Sequence, residues 1–151
     1  MSKANELRLL TMKAHRALNL EHDPDKARAI ADQVYAALGD LDGLVAQQVS
    51  IHTSLATTFQ SLGDPRAEEM IRTAIELEQK VAPVDSVAVG THQLFYARWL
   101  FERGRREEAK RYAREGEASC RTGTLPDDPE LQHVRSLVAQ IFDTTRDRAP
   151  E

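Results

Sequence analysis

The sequence predicts an all-α protein, on three observations. Helix formers such as Ala, Leu, Arg and Glu are plentiful, while aromatics make up only 5% of the chain, which favours packed helices over strands. Apolar residues recur at helical spacing, and no alternating run of strand length interrupts them. The breaks between these runs are helix punctuation. Asp23-Pro24, Asp64-Pro65 and Asp128-Pro129 each place an N-cap acceptor ahead of proline at the first helical position. Gly39, Gly63 and Gly104 stand where helices should stop, because glycine takes the left-handed conformation without penalty.

Taken in order, these marks predict seven helices. The first covers 3–20, ahead of the Asp23-Pro24 break, and the second runs over 24–38 to Gly39. The third, 42–62, closes at Gly63, and the fourth, 65–81, opens behind Asp64-Pro65. The fifth, 85–103, is weakened near its start by Gly90 and ends at Gly104, where the sixth, 105–121, begins. Gly123 and Pro126 mark an exposed loop over 121–127. The seventh helix, 129–144, opens on Asp128-Pro129-Glu130 and carries Leu131, Val134, Leu137, Val138, Ile141 and Phe142 as one apolar stripe. Residues 145–151 read as a frayed tail.

One stretch repeats. "LATTFQSLGDPRAEEMIRTAIEL", Leu55 to Leu77, breaks once at Gly63 and reads as a helical hairpin. "YARWLFERGRREEAKRYAREGEA" aligns with it: Leu55-Ala56 answers Tyr96-Ala97, Phe59 answers Leu100, Gly63 answers Gly104, and Ala67 answers Ala109. A fainter copy lies upstream in Leu18, His22, Ala27, Ala31 and Val34, with His22 standing where the others have glycine. The step is 40 residues from Ala27 to Ala67 and 42 from Ala67 to Ala109. Such a period predicts a stacked solenoid. The expected organisation is one domain over 1–151, with antiparallel helix pairs at about 3–38, 42–81 and 85–121 and a capping helix over the open end.

The residue types in the copies resemble a tetratricopeptide repeat. The third copy reads Tyr96-Ala97-x-x-Leu100-x-x-x-Gly104-x-x-Glu107-Glu108-Ala109, and the second Leu55-Ala56-x-x-Phe59, Gly63, Ala67-x-x-x-Ile71 and Ala74. The longer step is similar to the 40–42-residue variety of kinesin light chains. Small residues at Ala56, Ala67, Ala97 and Ala109 let helices approach, and Leu55, Phe59, Ile71, Tyr96 and Leu100 fill the space beside them. The resemblance implies a non-enzymatic adaptor in which the first helix of each pair lines a concave groove for a partner protein or peptide. Carried over by position, the groove residues are Thr53, Thr57, Gln60 and Ser61 in the second repeat, and Leu94, Arg98, Phe101 and Glu102 in the third. By looser analogy the first helix offers Met12, Arg16 and Asn19. Trp99 is expected to pack between helices.

The remaining chemistry points away from catalysis. The five histidines form no H-E-x-x-H arrangement, and one cysteine cannot build a Cys-rich zinc site. His15 and His22 share a face near Glu21 and Asp23, against which stands the plainer reading of a surface patch at a helix end. His52 and His92 sit early in two repeats, at positions read as equivalent. Cys120 reads as a structural thiol rather than a reactive one. No metal, cofactor or catalytic residue is expected. Between Arg98 and Arg121 lie eight basic and five acidic residues, read either as a salt-bridged helix face or as a basic patch for an acidic segment. With a net charge of −4, nucleic acid is not the expected partner. A lone cysteine, no secretory leader and no bilayer-length apolar run suggest a cytoplasmic protein without membrane contact. A homodimer joined through exposed solenoid faces is the alternative role.

Overall fold

The computed structural model describes residues 2–41, 43–81, 86–122 and 128–147. The expected 121–127 loop falls largely outside them, as do residues 148–151 of the expected tail. The described residues form α1 (Lys3–Asn19), α2 (Pro24–Ala36), α3 (Val45–Ser61), α4 (Arg66–Val81), α5 (Ser86–Glu102), α6 (Arg106–Thr122) and α7 (Pro129–Asp147), with a 3₁₀ turn at Leu38–Asp40 and no strand. Among them, no helix is long and apolar enough to cross a membrane. Two compact units divide the chain between Glu78 and Gln79.

In the first unit, α1 packs on α2 and α3, and α2 touches α3. The buried stripe of α1 is Ala4, Leu7, Thr11, Ala14 and Ala17, and that of α2 is Ala27, Ala31 and Val34. Alanine at so many of these positions brings the helix axes close, while Ile51, Leu55, Phe59, Met70 and Ile71 supply the bulk. In the second unit, α5 and α6 pack along their length, and α7 lies mainly on α6 with a lighter touch on α5.

The helix turns repeat the sequence register. Gly63 has φ +69°, its N–H donates to Gln60 O at 3.1 Å, and the Asp64 N–H donates to Phe59 O at 2.8 Å. Forty-one positions on, Gly104 has φ +78°, its N–H donates to Phe101 O at 3.0 Å, and the Arg105 N–H donates to Leu100 O at 3.0 Å. Both are the paired bonds of a Schellman cap. The first pair closes differently. His22 itself adopts φ +52°, and the Asp23 N–H reaches back to Ala17 O at 2.8 Å, one residue further than in the other two turns. The step of 40 from Ala27 to Ala67, against 41 from Pro24 to Pro65, arises after the proline, where Ala27 follows Pro24 by three residues and Ala67 follows Pro65 by two.

Three local expectations change. Gly39 lies outside the left-handed region and inside the 3₁₀ turn, where the Leu41 N–H donates to Leu38 O at 3.2 Å; Gly43, φ +97°, takes the left-handed role ahead of α3. At Asp64-Pro65 the helix begins one residue later, at Arg66, whose N–H donates to the Asp64 carboxylate at 2.9 Å. At the C-terminal end α7 continues to Asp147 instead of stopping at 144, since the first helix breaker beyond it is Pro150.

Gly90, expected only to weaken α5, has a structural use. A Cβ there would stand 2.6 Å from Cys120 Sγ and 2.7 Å from Gly116 O. A Cβ on Gly116 would in turn meet Leu94 Cγ at 2.8 Å and Gly90 O at 3.0 Å. The two helices therefore touch backbone to backbone, and nearby the Ser119 hydroxyl donates to the buried Gln93 Oε1 at 3.1 Å.

A second cluster ties α2, α3 and the start of α4 together. The Arg66 guanidinium lies 4.3 Å from the Phe59 ring centroid and 5.0 Å from that of Tyr35. It donates to Asp64 at 2.7 Å and to Asp32 at 2.6 Å. Tyr35 packs edge-on against Phe59 and donates to Glu69 at 2.8 Å. The Arg66 hydrogen bonds hold the Asp64 carboxyl below its ordinary value of 3.8, against an opposing effect of burial.

Two outcomes are expected. Gly90→Ala should destabilise by about 1–3 kcal/mol through overpacking against backbone. Gly63→Ala, with open space around its Cβ, should cost only about 1 kcal/mol of left-handed strain; denaturant titration ranks them. Asp64→Asn should lose about 1–3 kcal/mol near neutral pH. Because the folded-state pKa is depressed, this contribution is present above pH 3.8 and disappears as pH falls through the lower folded-state value. Stability curves of wild type and variant should therefore converge in acid.

Candidate functional site

Along α5, one face is consumed by the contact with α6. The adjoining stripe, Thr91, Leu94, Phe95, Arg98, Phe101 and Glu102, follows helical spacing over three turns and borders α7, with the buried Leu94 also packed on Gly116 of α6. From α7 come His133, Val134, Leu137, Gln140 and Ile141. Between the two helices lies an open groove of roughly 570 Å³. Its lining is mainly apolar, with the polar groups at the edges.

Most of those polar groups are already engaged. Arg98 Nε donates to Glu102 Oε1 at 3.3 Å, one turn away, and both side chains are largely exposed. The Thr91 hydroxyl donates to Val87 O at 2.8 Å. His133 and Gln140 stand exposed on the α7 rim. Apolar floor, aromatic walls at Phe95 and Phe101, and a charged edge make a surface suited to docking.

Four of the residues named from the sequence, Leu94, Arg98, Phe101 and Glu102, thus share this groove. The other four lie on α3, in the first unit. Thr53 and Thr57 are half-buried and turn their hydroxyls onto Val49 O at 2.8 Å and Thr53 O at 3.0 Å; Gln60 is half-buried and Ser61 exposed. Met12, Arg16 and Asn19 are exposed on α1. Sequence reasoning missed the α7 wall, having assigned its whole apolar stripe to capping. Leu131, Val138 and Ile141 are buried, but Val134 and Leu137 are only half so and open on the groove. The available signal was breadth: the stripe spans more than one contact line.

The other candidates fall elsewhere. Trp99 is buried beside Tyr96, with the Arg103 guanidinium 4.2 Å from its ring centroid. Between Arg98 and Arg121, Arg105 pairs with Glu108, Lys110 with Glu107 and Arg121 with Glu117, while Arg111 and Arg114 lie over Tyr112 and Phe142. The stretch is laced by local pairs. His52 is buried with Nδ1 donating to Gln48 O at 2.7 Å. Under the 41-residue register its counterpart is the buried Gln93, so the pairing of His52 with His92 was one residue out. His15 is half-buried on α1 and His22 exposed in the following turn; among the described residues no three His, Cys, Asp or Glu side chains gather as a metal site would need.

No protein-family model matches the chain, and no curated protein matches it.

Cys120 is 2% exposed and donates weakly to Val87 O at 3.9 Å; burial pushes its thiol up, against a smaller opposing effect of Thr91. A soluble disulfide reagent should modify it at least about 100-fold more slowly in the folded protein than in denaturant. Absorbance at the released thiolate measures both rates.

Proposed function

We propose that this chain is a non-enzymatic, tetratricopeptide-like adaptor that binds a segment of another protein in the α5–α7 groove. In this reading α1–α2, α3–α4 and α5–α6 are three repeats of a long-period solenoid, α7 caps the last of them, and the protein works in the cytoplasm. The observation that carries the reading is the gathering of Leu94, Arg98, Phe101 and Glu102 along one groove wall, opposite α7. The two shared Schellman turns, set 41 residues apart, support the repeat.

The physics favours docking over chemistry. A surface with Phe101 and Arg98 side by side has the residue types that dominate binding energy at interfaces. Its charged pair, Arg98 and Glu102, is solvent-facing and closed on itself one turn apart. Lys110 and Arg121 pair with glutamates along α6, and Arg111 and Arg114 lie on aromatic rings, which weakens the case for a phosphate-binding face.

Arg98→Ala combined with Phe101→Ala should weaken capture of the partner at least about tenfold, two anchors of more than 1 kcal/mol each being removed. The far-ultraviolet circular dichroism should be unchanged, because both side chains are on the groove surface. Survival of every captured protein in the double variant would refute the groove assignment.

A further inference from the structure

Most large apolar side chains in the described residues are covered; of the five exposed ones, Leu44 and Val81 stand apart, while three lie on α1 or at its C-cap. Leu9 is 40% exposed, Met12 56% and Leu20 73%. Leu9, Met12, Arg16 and Leu20 follow one another at three- and four-residue steps. They form a single ridge on the side of α1 opposite Ala4, Leu7, Thr11, Ala14 and Ala17. Arg16 stands out on it, its side chain 71% exposed and only 3.7 Å-paired with Glu21. Isolated apolar side chains on a surface need no explanation, but an ordered ridge beside a cation has the form of an interface.

The groove supplies the matching features. Leu9 and Arg16 lie seven positions apart, as do Phe95 and Glu102, a spacing of about 10.5 Å on either helix. Laid parallel to α5, the ridge sets Leu9 against Phe95, Met12 against the aliphatic stem of Arg98 and the Phe101 ring, and the Arg16 cation against the Glu102 carboxylate. A helix also suits this groove better than an extended segment. Its backbone groups are satisfied internally, whereas an extended chain would bury polar groups against an apolar floor at about 1–3 kcal/mol each.

We infer that the groove of one copy takes the α1 ridge of a second copy of this chain, so that the docking surface is occupied by self-association until a partner displaces it. The inference rests on the reading of the α5–α7 groove as a docking site. Ridge and groove are different surfaces, so each docked pair leaves one of each free, and association continues with concentration.

Sedimentation of the full chain across a concentration series tests this. The weight-average mass should rise above that of the monomer, and Met12→Glu should abolish the rise. Arg16→Glu and Glu102→Arg should each weaken association about fivefold or more, the effect of one interfacial charge pair, and the double variant should recover it. All these positions are exposed, and circular dichroism checks the fold. A chain that stays monomeric to about millimolar concentration, or association indifferent to Met12→Glu and to the charge exchange, overturns the inference. A monomeric chain whose partner capture is still lost in the Arg98/Phe101 double variant would leave the docking role intact and remove self-association alone.

Discussion

Close approach of helix backbones is the constraint on which the second unit depends. At Gly90 and Gly116 no side chain separates α5 from α6, and each glycine carbonyl stands where the other's Cβ would be. Contact at that range fixes both the rotation and the height of α5 against its neighbour. It commits Val89, Gly90, Gln93, Ala97 and much of Leu94 to packing, and the adjoining edge with Arg98 and Phe101 lines the groove with α7.

The first unit solves the same problem with other chemistry. Alanines bring α1 and α2 together, but the junction of α2, α3 and α4 is held by Arg66, flat against Phe59 and Tyr35 and bonded to Asp64 and Asp32. An arginine suits that place because its planar guanidinium can stack and donate in a fork at once. The Asp64 carboxylate also accepts the first N–H of α4, that of Arg66, from its position at the turn. One acidic side chain therefore starts a helix and anchors the cation that ties three helices.

Local features were legible in the sequence, and contacts between distant residues were not. Aspartate before proline and glycine at Gly63 and Gly104 encode their turns within five residues, so the helices and their register could be read directly. His22 shows that the backbone turn survives loss of the glycine, with one residue added to the loop. Gly90 was misread as a defect because what it touches, Cys120 and Gly116, lies about thirty positions away in sequence. The Arg66 cluster was invisible for the same reason, since Asp32 and Tyr35 come from the preceding helix pair. For the site, the α5 wall followed from helical spacing and the tetratricopeptide resemblance. The α7 wall did not, because an apolar stripe alone does not tell a packed edge from an open one.

The two central helix pairs share a register yet present different surfaces, and this separates scaffold from site. In the 41-residue step Thr53 corresponds to Leu94, Thr57 to Arg98, Gln60 to Phe101 and Ser61 to Glu102. On α3 the threonine hydroxyls are spent on backbone carbonyls one turn back, which leaves short side chains with little to offer a partner. On α5 the same positions carry Leu94, packed against α6, and the longer Arg98, Phe101 and Glu102, which border the groove. Equivalent turns thus carry side chains of unequal reach, and the α5 set lines the groove. The turn bonds at Gly63 and Gly104 run between backbone groups, so the same turn is compatible with different side chains at these four positions.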